Sequence, residues 1–244
     1  LDFMADAMAL LVAPAFVAGA FFVMALMSGR LPSLRVQVVM VAALVAWCLI
    51  QIRKLYQASE TLDRWRLGLD GEVAVGQELD QLMRQGAAVF HDFPGEGFNI
   101  DHVVIARQGV FAVETKGYSK PVDDEGNAAH RVVFDGRTLF WPERSESRTL
   151  EQAARNARWL STWLGKATGE PVVVTPALAL PGWFVERKGR GEVLVYSGRE
   201  LGQHLLGAVK ASPISAETLQ RVIHQVEQRC RTVEPTYSRS PRTE

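Results

Sequence analysis

Twenty-one consecutive residues from Ala7 to Met27, AMALLVAPAFVAGAFFVMALM, carry no charged side chain. As a helix at 1.5 Å per residue the run would reach about 31 Å, the thickness of a bilayer's hydrocarbon core. Such a run divides the chain into a part that belongs with lipid and a part that must fold in water. After SGRLPSLR, a turn with Gly29 and Pro32, a second run from Val36 to Ile52 is interrupted only by Gln37 and Gln51. It is near the lower length limit for a span. The pattern predicts a two-helix transmembrane hairpin in residues 1–54, with spans at about 7–27 and 36–52, touching the lipid bilayer through residues 7–52. A secretory leader is the competing reading. It calls for a basic start and a small-residue cleavage site, whereas Asp2 and Asp6 stand here. Arg53, Lys54, Arg64 and Arg66 follow the second run, against Arg30 and Arg35 in the connection. That bias predicts a multi-pass protein of the inner membrane with its large domain in the cytoplasm.

Beyond the hairpin, residues 55–66 read as a polar helical stalk, 67–231 as one domain, and 232–244, TVEPTYSRSPRTE, as a disordered tail with little to bury. The two cysteines, Cys48 and Cys230, form no disulfide framework. The whole chain holds 27 basic and 27 acidic side chains, and 23 against 25 remain after residue 54. No basic excess of the kind a strong nucleic-acid binder shows is present, so any such affinity should be modest and salt-dependent.

The periodicity of the domain predicts a helix from Asp70 to Gln85 ending at Gly86, with Val75, Leu79, Leu82 and Met83 on one buried stripe. A strand at AVFHDF, a hairpin at residues 99–117, and a second hairpin at RVVFDGRTLF follow, the last with Asp135-Gly136 as a type I′ turn. A helix over about Leu150 to Leu164, strands at VVVTPALAL and EVLVYSG, and a helix capped by Ser215 complete the reading. The order predicts an α/β domain, a mixed β-sheet flanked by helices.

Three charges interrupt the most apolar strand pair, NIDHVVIARQGVFAVETKG. Glu114 and Lys116 lie two apart and share a face of their strand. A two-residue turn at Arg107-Gln108 would set Asp101 opposite Glu114; a three-residue turn ending in Gly109 would send it to the other face unless a bulge restores the register. Glu72 precedes Val75, Leu79 and Leu82 on the helix stripe, where a carboxylate needs a partner. Gln152, with Asn156, Trp159 and Trp163, lies at the polar end of another stripe. An ETK triplet alone is most often an ion pair closing a strand. Carboxylates gathered with an ammonium suit metal-assisted phosphodiester hydrolysis, with Asp101, Glu114 and Glu72 as hard ligands for Mg²⁺, or Mn²⁺ in its place. Lys116 would stabilise developing charge or orient water, and Glu72 and Gln152 would complete the shell or position the nucleophile.

Competing chemistries are weaker. His91, Asp92 and His102 could hold a metal through imidazole, but His102 alternates with Asp101 and reads as a packed core histidine. Trp159, Trp163 and Trp183 read as core. A nucleophile elbow and a phosphate-binding P-loop are both missing from the sequence.

GLDGEVAVGQELDQL, VFHDF, NIDHVVIARQGVFAVETKG and LEQAARNARWL, in this order over about residues 67–165, resemble the nuclease-related domain (NERD) family. That family belongs to the PD-(D/E)xK superfamily of restriction-endonuclease-like folds. The resemblance implies a site of Glu72, Asp101, Glu114, Lys116 and Gln152, with Asp101 and Glu114 on adjacent strands of the mixed sheet. It also implies a Mg²⁺-dependent nuclease acting on nucleic acid, DNA by superfamily analogy. The rival from another class is a catalytically silent nucleic-acid-binding or signalling module that retains the fold. A third is a membrane scaffold whose hairpin drives assembly.

Overall fold

In a computed structural model of the chain, the residues described are 16–25, 27–29, 33–121, 129–207 and 213–231. The chain divides into two compact units between Trp65 and Arg66.

The first unit contains helix α1, Phe16–Ala25, and the greater part of α2, Leu34–Asp80. Residues 7–15 of the first expected span lie outside the described residues, as does the tail 232–244. α1 is the part of that expected span that is described. Among the described residues one helix is long and apolar enough to do so, the one beginning at Leu34, where two were expected. Its apolar window is not packed against protein; Val38, Val41, Leu49 and Ile52 are exposed. No proline interrupts residues 34–80, which form the single helix α2.

The second unit holds two mixed sheets where one was expected. The larger runs β1 (Ala88–Pro94), β2 (Asn99–Ala106), β3 (Gly109–Thr115), β7 (Val174–Ala179) and β9 (Leu194–Tyr196) in that spatial order. Its first three strands are antiparallel and its last three parallel. Helix α3, Arg148–Thr168, leads back to the sheet as the crossover before β7. The smaller sheet orders β6 (Ser145–Glu146), β5 (Leu139–Phe140), β4 (Arg131–Phe134) and β8 (Phe184–Arg187). It arises because β8, not legible as a strand in advance, pairs in parallel with β4.

Alternation along β2 and β3 sorts their side chains between two cores. Val103, Ile105, Val110 and Ala112 pack with Leu160 and Leu164 of α3 and Val222 and Val226 of α5 (Ala216–Arg231). Val104, Phe111 and Val113 pack with Val75, Leu79 and Leu82 of α2 and with Leu201 and Leu205 of α4 (Gly198–Leu206). Both faces are therefore covered, as the near-continuous apolar runs of the central strands require. Trp159 and Trp163 sit against the first core and Trp183 inside a third, under the small sheet. At α5 the expected cap is formed: Ser215 Oγ accepts the Thr218 N–H at 3.1 Å.

Two local expectations shift. Met83 is half exposed rather than buried. The chain tightens from α-helix into a 3₁₀ turn at Gln81–Gln85 before Gly86, which has φ +85°. With three residues per turn instead of 3.6, Met83 rotates off the stripe. In the second hairpin, Asp135 N–H donates to Thr138 O, so the turn centres on Gly136 and Arg137, one residue later than expected. Gly136 has φ +104° while Arg137 does not enter the left-handed region, a II′-like rather than I′ geometry. The Asp135 carboxylate competes for the turn by accepting both the Arg137 and Thr138 N–H groups.

Candidate nuclease site at the ends of two central strands

The open question of the hairpin turn is answered by its register. Ala106 pairs with Gly109 and His102 with Val113, so the turn is the two-residue Arg107-Gln108. Continued one step outward, the same register sets Asp101 opposite Glu114. Asp101 Oδ2 accepts the Thr115 N–H at 2.6 Å, a side chain standing where a ladder carbonyl would otherwise be. Oδ1 accepts no hydrogen bond among the described residues.

Glu114 is 2 % exposed and has three donors around it. Lys116 Nζ lies 2.7 Å from Oε1, and Gln152 Nε2 donates to the same oxygen at 2.6 Å. Asn156 Nδ2 donates to Oε2 at 2.9 Å. Gln152 and Asn156 stand one helical turn apart on α3, which its core contacts press onto the face where Glu114 points. A carboxylate offers about four lone-pair directions. Three are taken, and the fourth, on Oε2, is left for a further ligand.

Electrostatics separates the two opposed carboxylates. Burial, then the Glu114 charge, push Asp101 up to about 7, while the Thr115 N–H and Lys116 pull the other way. Lys116 moves up as well: burial opposes its charge, but Glu114, by charge and hydrogen bond, and Asp101 outweigh that. It remains an ammonium, a donor and not a base. Glu72 is half-buried on α2, and burial, then Asp92, raise its carboxyl. Lys116 and Glu114 also act on it, so it shares the site's field. It arrives, however, from the helix that covers the opposite face of the sheet. Among the described residues no three His, Cys, Asp or Glu side chains are gathered to hold one metal ion. The donors that do meet are two carboxylates, Asp101 and Glu114.

A cavity of about 260 Å³ opens beside Asp101 and runs between Glu72 and the pair His91 and His102. His102 is buried, as expected, but it is not solitary. Its Nδ1 lies 2.8 Å from His91 Nδ1, and His91 Nε2 lies 3.1 Å from Asp80 Oδ1. The carboxylate needs the proton on His91 Nε2, so His91 Nδ1 accepts and His102 Nδ1 donates. His102 Nε2 is then a buried lone pair, with no partner among the described residues. Gly76 permits this packing: a Cβ there would lie 3.3 Å from His91 Cε1. A larger cavity, about 580 Å³, lies on another side of α3, against Glu151 and Arg158 rather than Gln152 and Asn156. Its Arg158 is already paired with Glu192 at 3.0 Å.

Buried His102 and part-buried Asp101 respond to acid in opposite senses. Burial, then His91, lower His102 to about 4, below its usual 6.5. Between those values the unfolded chain binds a proton that the folded chain does not, so stability falls as pH drops from 6.5 towards 4, by about 3 kcal/mol in full. Asp101 has the reverse sign. Its folded value near 7 exceeds the unfolded value near 4, so the folded state gains the proton first and stability rises as pH falls through that window. Thermal midpoints of the wild-type chain between pH 7 and 5 should therefore change little from these two groups. In Asp101→Asn the His102 contribution is unmasked, and the midpoint should fall steeply with acid.

Sequence reasoning missed Asn156 as a direct partner of Glu114, although its position four residues after Gln152 carried the signal. It also missed Tyr118, held by Thr149 Oγ1 at 3.2 Å, which in turn donates to Glu146 Oε1 at 2.7 Å. No spacing announces that chain.

Residues 67–181 match the family model described as the nuclease-related domain, NERD. The match runs from the turn of α2 just before Glu72 through β7, the strand parallel to β3, and so spans every residue of the site above. No curated protein and no solved structure matches the chain.

Proposed function

We propose that this nuclease-related domain is a Mg²⁺-dependent nuclease of restriction-endonuclease-like fold, with Mn²⁺ able to substitute, hydrolysing phosphodiester bonds in DNA. We further propose that an N-terminal transmembrane hairpin anchors it to the inner membrane with the domain in the cytoplasm. The observation that carries the activity is the opposition of Asp101 and Glu114 at the ends of adjacent strands, with Oδ1 of Asp101 and one lone pair on Oε2 of Glu114 left open. Two hard oxygen donors without further protein ligands suit Mg²⁺, which keeps several of its waters. Asp101 and Glu114 would hold the ion, with Glu72 at the edge of its field. When bound, such an ion neutralises charge on the phosphate and acidifies water.

The chain's own groups do the rest. Gln152 and Asn156 fix the Glu114 carboxylate, so its open lone pair points one way before any substrate arrives. Lys116, kept protonated by Glu114, offers a fixed positive charge to a non-bridging phosphate oxygen as negative charge builds there. Thr115 N–H pins Asp101 against rotation. Glu72, its carboxyl raised, is placed to exchange a proton with water at the cavity mouth.

A binding measurement tests the reading apart from turnover. Mn²⁺ titrated into the full chain in detergent and followed by electron paramagnetic resonance should show one bound ion. Asp101→Asn should weaken that binding at least tenfold, the order seen when a ligand environment is disturbed. A silent module retaining the fold would be indifferent to both metal and substitution.

A further inference from the structure

After Lys116 the chain passes along the edge of the core under the small sheet, against which Tyr118 packs. Two residues on, Tyr118 begins a cluster that the site described above does not use. The Arg144 guanidinium lies 4.5 Å over the Tyr118 ring and 5.6 Å from the Trp141 ring centre. Tyr118 and Trp141 meet edge to face at 4.8 Å, and Trp141 and Trp183 at 4.7 Å. The stack is held from behind: Tyr118 OH is bonded to Thr149 Oγ1, and Trp183 Nε1 donates to Tyr118 O at 3.2 Å. Trp141 Nε1 is a buried donor with no acceptor among the described residues. A cavity of about 220 Å³ is lined by these rings, Lys120 and Arg144.

Arg144 is exposed, and among the described residues its guanidinium is held over the Tyr118 ring beside Trp141. An exposed guanidinium held against a ring is a surface that a second flat group can meet. Nucleobases stack on guanidinium planes as well as on aromatic rings, and a base with both faces in its own duplex has none to offer. Tyr118 is close enough to Lys116 to act on its charge, which ties the cluster to the reacting end of β3.

From this we infer that Arg144, held over Tyr118 beside Trp141, is a stacking subsite for one unpaired nucleotide flanking the phosphate held at Asp101 and Glu114, with Lys120 on that nucleotide's backbone. The substrate class that follows is single-stranded or frayed nucleic acid, not intact duplex. The inference rests on the nuclease reading for its ligand, but not on cutting for its test.

The test uses the full chain in detergent carrying Asp101→Asn, so that no substrate is consumed, and fluorescence anisotropy of a labelled dT15 strand and of a 15-base-pair duplex. Arg144→Gln and Arg144→Lys are compared with the parent. Lysine keeps the charge and loses the planar stack. Both variants should bind dT15 about tenfold more weakly, the order expected for one lost stacking contact, with duplex affinity changed less than twofold. Arg144→Lys should keep the parent's salt dependence. Parent-like binding of dT15 by Arg144→Lys would overturn the subsite, since charge alone would then suffice. Equal losses on strand and duplex, or no binding of dT15 by the parent, would overturn it as well. Metal-dependent cutting of single-stranded DNA or of plasmid by the chain with native Asp101 and Glu114, lost in Glu114→Ala, would leave the nuclease reading standing in each of those cases. Cutting indifferent to Glu114→Ala would sink the nuclease reading whatever Arg144 does.

Discussion

Asp101→Asn is expected to abolish cutting, by a factor of about 10² or more, while making the metal-free protein more stable at pH 8. The second half follows from what surrounds the carboxylate. Asp101 is part-buried, faces Glu114, and has the Thr115 N–H as its hydrogen-bond donor. At pH 8 the folded state must carry an ionised group that its surroundings disfavour. Asparagine keeps an oxygen for the Thr115 N–H and removes the charge. A gain of about 1–2 kcal/mol is expected, or about 3–6 °C in the midpoint of a domain this size. Added Mg²⁺ should stabilise the wild-type chain in proportion to its binding and leave Asp101→Asn unchanged. Differential scanning fluorimetry with and without the ion reads both effects.

Glu114→Ala should move stability in the other direction. Its carboxylate is as buried as any group in the site, yet it is compensated by Lys116, Gln152 and Asn156. Truncation leaves an ammonium and two amides facing a void. Breaking a buried pair from one side costs about 3–5 kcal/mol, and Lys116, being partly exposed, recovers some of this from water. A loss nearer the lower figure is expected in chemical denaturation, together with loss of cutting. Glutamine is no gentle replacement here: its amide N–H₂ would confront donors on one side whichever way it turned. Two carboxylates opposite each other in one register should thus give opposite stability responses when neutralised. The difference is the number of donors each already has.

Much of this was legible in residue order. The apolar alternation of residues 99–117 located β2 and β3, and the Glu-Thr-Lys end of β3 placed Glu114 and Lys116 on one side of the strand. Gln152 was recognised from its helix stripe. What stayed open was the hairpin turn, because Arg107-Gln108-Gly109 suits either loop length; pairing of Ala106 with Gly109 decided it. The second sheet was not legible because β8 is four residues long and takes its partner, β4, from more than forty positions away. Met83 was misplaced because a 3₁₀ turn changes the period that the stripe assumed. The contact of Arg144 with the Tyr118 ring joins residues whose spacing has no meaning until the strands are folded. The match of residues 67–181 to the nuclease-related domain agrees with the motif order read from the chain. Helical continuity from Leu34 to Asp80 came from the structure alone.

The most direct measurement is cleavage by the full chain in detergent, on supercoiled plasmid and on single-stranded DNA, with Mg²⁺, with Mn²⁺ and with EDTA. Asp101→Asn runs beside the wild type, because it is expected to fold at least as well and its silence could not be blamed on unfolding. The expected result is cutting that requires the metal and disappears in Asp101→Asn. Cutting that persists in Asp101→Asn would contradict the assigned site, and a folded wild-type chain that neither cuts nor binds metal would contradict the nuclease reading and leave the domain a silent module.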